Sequence, residues 1–367
     1  MTIASYWQTV RQHRLFWIVA TLLVVKCMYI GVTLLFVGQF LSSTIFSAAP
    51  FLNLWSRWDT SNYISIALNN YQPGTADAKL IAFLPLYPTL IRIGSLVFSP
   101  QAAAIIIANI ASLVGLVLFY ELGRREYGVT VAWRALLAIL LFPTAYFFFA
   151  PYTESLFLLL SVAAWLFARR GQWFWAGSLG GLAAVTRITG VLLFPALIVE
   201  WWLQHRQHQR TVWSGLWLLL IPLYFGLYLG INYELYGTPL AFITAASEWS
   251  KEFAWPWDSL WSRFKAIGLD EYGLMLGVSE FVAGIMLVIG VVWSWLRLRP
   301  SYAAYLTLTA FVLLSTSYLQ STPRYLLTLF PLFYIVGMYP TAKWLAIPSV
   351  GLLTFFTLRW LVGAWAF

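Results

Sequence analysis

Charge is what this chain has least of. Only 10% of its 367 residues are Asp, Glu, Lys or Arg, against 61% apolar, where a soluble domain carries roughly 25% charged residues. So few ionic groups cannot cover a water-facing surface, and a mean hydropathy of +0.77 makes the chain a polytopic membrane protein. Cysteine is nearly absent. Cys27 stands alone inside the first apolar segment, which excludes an intrachain disulfide and reads as a small buried hydrophobe. Histidine is scarce, with His13, His205 and His208 all in basic segments. No His/Cys cluster has metal-ligand spacing, so no metal and no cofactor are expected. No repeat, low-complexity tract or soluble domain interrupts residues 1–367, which read as a single integral membrane domain.

Positive charge is in excess, 22 Lys and Arg against 13 Asp and Glu. It falls in short clusters between apolar segments: Arg11/Arg14, Arg124/Arg125, Arg169/Arg170, Arg206/Arg210 and Arg297/Arg299. That is the positive-inside pattern of a membrane protein, not a nucleic-acid surface. The N-terminal basic and apolar run resembles a signal peptide, but it is longer than an h-region of roughly 7–15 residues. It reads as a retained first helix with a cytoplasmic N-terminus.

Spans are expected over 15–40, 102–122, 131–149, 152–168, 213–231, 274–296, 302–316, 325–339 and 344–367. The stretch 173–203 is too long for one helix and holds Arg187 at its middle, so it reads as two short helices meeting near Thr186-Arg187. Residues 83–98 are apolar enough to cross, yet a crossing there would turn every later basic cluster outward. A helix that lies at the interface keeps those clusters inside, and Pro85 and Pro88 suit a helix entry. The count is then about 11 transmembrane helices. Two large outer loops follow, about 41–101 and 232–272, too apolar to float and expected to lie on the membrane as interfacial helices. The second carries Trp249, Trp255, Trp257 and Trp261, suited to an aromatic belt or to a groove for an acyl chain or sugar ring.

Polar residues that membrane helices normally exclude collect at the outer ends of these segments. Arg57, Asp59 and Tyr63 lie in the first loop, with Tyr152 and Glu154 in Pro151-Tyr152-Thr153-Glu154-Ser155. Arg187 follows Thr186, and Arg324 lies in Thr322-Pro323-Arg324-Tyr325. Charged groups at a membrane are rare, tend to be paired and mark sites of reaction or transport. Each has a plainer reading. Asp59 could pair with Arg57 or cap a helix, Glu154 suits a helix N-terminus, and the arginines could be anchors. Lys26, inside the first span, reads as the buried partner of a carboxylate; Glu280 has no evident partner.

A carboxylate beside several arginines suits sugar transfer from a lipid phosphate. The leaving group there is already an anion and calls for positive charge, which Arg supplies with a fork matched to phosphate. The attacking hydroxyl calls for a carboxylate base.

An ordered set of motifs over about 270 residues points the same way. They are Arg57-Trp58-Asp59 with Tyr63 and Tyr71, Phe83-Leu84-Pro85-Leu86-Tyr87-Pro88, Phe142-Pro143-Thr144 and Tyr152-Thr153-Glu154-Ser155. Thr186-Arg187 with Gly190, Tyr236-Gly237-Thr238-Pro239 and Pro323-Arg324-Tyr325 complete it. In these the chain resembles a bacterial branch of the PIG-V type, GPI mannosyltransferase II-like family, within the GT-C superfamily.

The resemblance implies a GT-C bundle and an inverting, metal-independent transferase. The sugar, mannose by the family, comes from a polyprenyl-phosphate donor and goes to a lipid or glycan acceptor on the extracytoplasmic face of a bacterial inner membrane. By that resemblance Asp59 is the catalytic base. Arg187, Arg324 and Arg57 hold the donor phosphate, and Trp58, Tyr63, Tyr152, Glu154 and Tyr325 line the substrate site. Ile188 stands where the family often has Pro, and the loops are shorter than in eukaryotic members. A bacterial host would exclude GPI itself as the acceptor. A non-catalytic lipid or solute transporter and a transferase for another polyprenyl-phosphate sugar remain as alternatives; nothing in the sequence bears on oligomeric state.

Overall fold

Proline opens several helices of this chain, since its missing N–H would be unpaired in a first turn anyway. Pro100, Pro256, Pro300, Pro323 and Pro331 all occupy such positions. The computed structural model describes residues 3–40, 48–208, 212–247, 252–269 and 273–367, and among them the chain is all-α. Trp249 and Arg210 lie outside the described residues.

The helices, in order, are α1 (Ile3–Phe40), α2 (Ala48–Trp55), α3 (Asp59–Asn69), α4 (Leu86–Gly94), α5 (Pro100–Tyr127) and α6 (Val129–Leu140). Then come α7 (Glu154–Arg169), α8 (Trp173–Ala184), α9 (Leu193–His208), α10 (Leu220–Tyr236), α11 (Ala241–Ala246) and α12 (Pro256–Ala266). The chain ends with α13 (Gly273–Arg297), α14 (Pro300–Leu314), α15 (Thr322–Thr328), α16 (Pro331–Met338) and α17 (Ala346–Leu361).

Among the described residues, six segments are long and apolar enough to cross a bilayer alone: Leu15–Leu35, Pro100–Tyr127, Ile188–Gln207, Trp213–Tyr236, Gly273–Arg297 and Lys343–Leu361. The other expected crossings are shorter or broken. α6 has 12 residues and α14 has 15, and the stretch at 325–339 divides into α15 and α16. α7 illustrates why short helices suffice. Almost all of its 16 residues are buried, packed between α5 and α8, so protein surrounds it where lipid would demand a full span. At Gly115 on α5 an added Cβ would lie 3.1 Å from the Leu159 backbone, so α5 and α7 meet through the small residues membrane helices favour.

α4 has nine residues and rises about 14 Å, less than half of a bilayer core. The 173–203 stretch breaks as two helices, α8 and α9, with Arg187 in extended backbone between them. Gly190 makes that break compact, because a Cβ there would sit 2.4 Å from the Ala183 carbonyl carbon.

Two expectations fail in α1. Cys27 is exposed, not buried, because α1 lies at the bundle edge and only 17% of its span window is covered by protein. Lys26 has no carboxylate partner among the described residues. Its Nζ donates to Ser112 Oγ and to the Phe148 carbonyl, each at 2.6 Å.

The bundle carries charge at its two ends. Glu154 and Arg169 open and close α7, about 22 Å apart. At the Arg169 end, Glu200 accepts from Arg169, Gln204, Arg299 and Ser301, and Glu126 also pairs with Arg169. Arg169 and Arg299, read from sequence as topology signals, are therefore ion-paired in place, as are Arg124 and Arg125 with Glu121. The other end holds the candidate site.

Candidate functional site

Asp59 is the first residue of α3, and the turn before it is unusual. Trp58 has φ 50° and ψ −115°, a conformation that costs a non-glycine residue of order 1–3 kcal/mol and persists only when its surroundings hold it. Tyr152 holds it. Its hydroxyl donates to the Arg57 carbonyl at 3.0 Å and accepts the Asp59 N–H at 3.1 Å, bridging the peptides on either side of Trp58. Thr60 reinforces the join by donating to the Pro151 carbonyl. Asp59 caps nothing through its side chain; its carboxylate faces Arg324.

Glu154 opens α7 from a fully buried position, where the helix N-terminus favours a carboxylate. One of its oxygens, Oε1, receives Arg187 Nη1 at 2.6 Å and Arg324 Nε at 2.5 Å. Arg324 turns its Nη1 to Asp59 Oδ2 at 3.0 Å. Arg187 also donates to Thr153 Oγ1 at 2.8 Å. Asp59, Arg324, Glu154 and Arg187 thus form one chain of alternating charge, drawn from four distant segments. The side chains of Arg324, Glu154 and Arg187 are 7%, 0% and 12% exposed, whereas Asp59 is 23% exposed. Asp59 is the member an incoming molecule can reach.

Aromatic faces complete the setting. The Arg324 guanidinium lies 4.7 Å from the Tyr152 ring centroid and 5.1 Å from that of Phe147. That of Arg187 lies 5.2 Å from the Tyr325 ring, and cation–π contacts of this kind strengthen as water is removed. The carboxylates of Glu154 and Asp59 flank the Arg324 guanidinium, and a guanidinium stays protonated in proteins. Arg324 is a fixed positive charge.

The structure brings together Asp59, Arg187, Arg324, Tyr152, Glu154 and Tyr325. Tyr63 is buried beneath them, its ring edge-on to Tyr87, Phe83 and Tyr152, so it packs the floor of the site. Trp58 is 41% exposed and set edge-on against Trp365, at the open side. Arg57 turns away. Its Nε donates to the Leu54 carbonyl and its Nη2 to the Leu361 carbonyl at the end of α17, the helix terminus at which a cation is favourable.

Sequence reasoning missed Thr153, Phe147 and Trp365. Thr153 lies inside a quoted motif and could have been found there. Phe147 and Trp365 carried no signal among so many aromatic residues.

No family model matches the chain. Two curated GPI mannosyltransferase 2 proteins of Cryptococcus neoformans var. neoformans serotype D, strains JEC21 / ATCC MYA-565 and B-3501A, are each 30% identical to it over 165 residues. Each match covers 40% of this chain, which spans only 38% of the relatives' length. Among solved structures, ArnT from Cupriavidus metallidurans bound to undecaprenyl phosphate superposes with a TM-score of 0.55 at 16% identity. The match covers 93% of this chain and 63% of ArnT. At that identity the likeness speaks for the fold alone, an all-α membrane bundle like that of ArnT.

Proposed function

We propose that this chain is an inverting, metal-independent GT-C glycosyltransferase. It moves a sugar, mannose in our reading, from a polyprenyl-phosphate donor to a hydroxyl of a lipid or glycan acceptor. The observation that carries the reading is the ion-paired chain Asp59–Arg324–Glu154–Arg187, buried at Arg324 and Glu154 and most open at Asp59. The relatives named as GPI mannosyltransferase 2 support the sugar, and the ArnT structure, solved with undecaprenyl phosphate, supports a lipid-phosphate donor. The positive-inside pattern supports a site on the extracytoplasmic face with a cytoplasmic N-terminus, in what we read as a bacterial inner membrane.

In this mechanism the acceptor hydroxyl approaches the exposed side of Asp59, which takes its proton as the new C1–O bond forms. The bond from C1 to the phosphate oxygen breaks on the opposite face, and its electron pair stays with the phosphate. The donor phosphate carries one negative charge and leaves with a second, so the transition state calls for added positive charge. Arg324 and Arg187 are fixed in place to supply it, with no reorganisation at the moment of transfer. Glu154 holds both guanidinium groups at a set separation. Trp58 and Tyr325 offer ring faces to the substrates, and Tyr152 serves by fixing the Asp59 turn. Arg57 contributes by closing the site against α17 more than by touching phosphate.

The test is transfer of label from radiolabelled polyprenyl-phosphate mannose by the full chain in nanodiscs. Wild type produces a new glycolipid and Asp59→Asn, which keeps shape but removes basicity, does not. Retained transfer in Asp59→Asn refutes the assignment, and label that stays in unmodified donor lipid points to a transporter.

A further inference from the structure

Glu280 is a carboxylate 3% exposed within α13, a 25-residue apolar helix. An ionisable group there is costly and calls for a partner. Its two oxygens are both used, and by backbone. Oε1 accepts the Ser321 N–H at 2.5 Å and Oε2 accepts the Thr322 N–H at 2.8 Å. Hydrogen bonds to an ionised acceptor are roughly twice as strong as neutral ones.

These two amides belong to the turn that delivers Arg324. Ser321 lies in the left-handed region at φ 65°, ψ 22°, strained for a residue with a Cβ. α15 begins at once after it and has only seven residues, Thr322–Thr328, too few to hold a direction by its own hydrogen bonds. The segment just upstream is pinned as well. Ser317 N–H donates to the Glu252 carbonyl at 2.8 Å, and Phe253 bridges to Thr316. Glu280 completes that pinning at the last residue before the helix. Glu280, Gln320, Arg263 and Trp365 line one small cavity, and Trp365 leads through its edge contact to Trp58. Both strained turns of the site, Trp58 and Ser321, are held by a buried polar side chain from a distant segment, Tyr152 just ahead of α7 and Glu280 on α13.

We infer that Glu280 is a positioning residue for donor phosphate. It clamps the left-handed turn at Ser321 so that Arg324 faces the site in register, an inference that rests on the phosphate role proposed for Arg324. Glu280→Gln offers one acceptor and one NH2 group, so one of the two backbone N–H groups loses its partner and the turn loosens. A weakened charged hydrogen bond from Arg324 to phosphate is worth about 10- to 100-fold in affinity.

The experiment measures binding of undecaprenyl phosphate, as probe, to the full chain in nanodiscs, with the thermal midpoint recorded for every variant. Arg324→Gln is expected to weaken binding strongly. Glu280→Gln is expected to weaken it about 10- to 100-fold, with no further loss when added to Arg324→Gln. Glu280→Asp, which keeps the carboxylate, is expected to stay within a few-fold of wild type. Weakened binding in Arg324→Gln beside wild-type binding in Glu280→Gln overturns this inference alone. Unchanged binding in Arg324→Gln overturns the phosphate reading of Arg324, and the inference with it. If Glu280→Gln does not fold, the comparison is made with Glu280→Met, which keeps the length of the side chain in an apolar helix and removes the carboxylate. A loss equal in the wild-type and Arg324→Gln backgrounds then shows a general structural effect and overturns the inference.

Discussion

Charge balance in the four-membered ion chain sets up a quantitative test through Glu154→Gln and Arg324→Gln. The intact cluster holds two carboxylates and two guanidinium groups, joined through contacts of 2.5 to 3.0 Å. Glu154→Gln leaves Arg324 and Arg187 facing each other with Asp59 as the one remaining anion. Arg324→Gln leaves Asp59 and Glu154 with Arg187, beyond Glu154, as the one remaining cation. Each single change strands a charge in a site where the pair it breaks is 0% and 7% exposed. Breaking a buried pair by removing one partner costs about 3–5 kcal/mol. The double variant keeps Asp59 and Arg187 and is neutral again. Two independent losses would sum to about 6–10 kcal/mol, but the double should fall short of that sum by roughly 0.5–3 kcal/mol, the range found for residues in one network. Unfolding of the full chain in mixed micelles, followed by tryptophan fluorescence, measures all four forms. Additivity to within about 0.5 kcal/mol would mean that the two side chains do not share a network in the folded protein. The charge-balance argument would then be wrong.

Other outcomes follow from contacts at a distance from Asp59. Glu200→Gln removes the anion that gathers Arg169, Arg299 and Ser301 and should cost about 3–5 kcal/mol of stability. Turnover per folded molecule should be unchanged, as initial rates normalised to folded protein will show. Lys26→Met should be tolerated to within about 1 kcal/mol, because Ser112 Oγ also donates to Asn109 O and the Phe148 carbonyl also accepts from Ser155; a thermal scan decides it. Arg57→Ala loses two bonds to carbonyls, at about 1.5–3 kcal/mol each for a charged donor. It should lower stability while keeping turnover within a few-fold, whereas Arg324→Ala should lower kcat by about 10²–10³. A turnover loss in Arg57→Ala as large as in Arg324→Ala would place Arg57 on the phosphate after all.

Asp59, Glu154, Arg187 and Arg324 were legible because a charge in so apolar a chain stands out against its background. Their partners were less so. Pairing of Asp59 with its near neighbour Arg57 was a natural alternative from sequence, yet the Trp58 turn sends the two side chains apart, to Arg324 and to the end of α17. Lys26 suggested a carboxylate by the same logic, but the packing of α1 on α5 offers it hydroxyl and carbonyl oxygens instead. Glu280 drew attention by its oddity, and its partners were invisible because they are backbone amides 41 and 42 residues away.

Composition and hydropathy by themselves determined that this protein is an all-α membrane bundle, where it bends, and which few side chains carry charge. Those properties depend on the cost of burying each residue, a local quantity that can be read one segment at a time. Tertiary structure decided which charges meet, which tyrosine hydroxyl braces the Asp59 turn, and which helices need not span a bilayer because protein surrounds them. Those outcomes depend on distances between segments up to 265 residues apart, and only the packed chain fixes such distances.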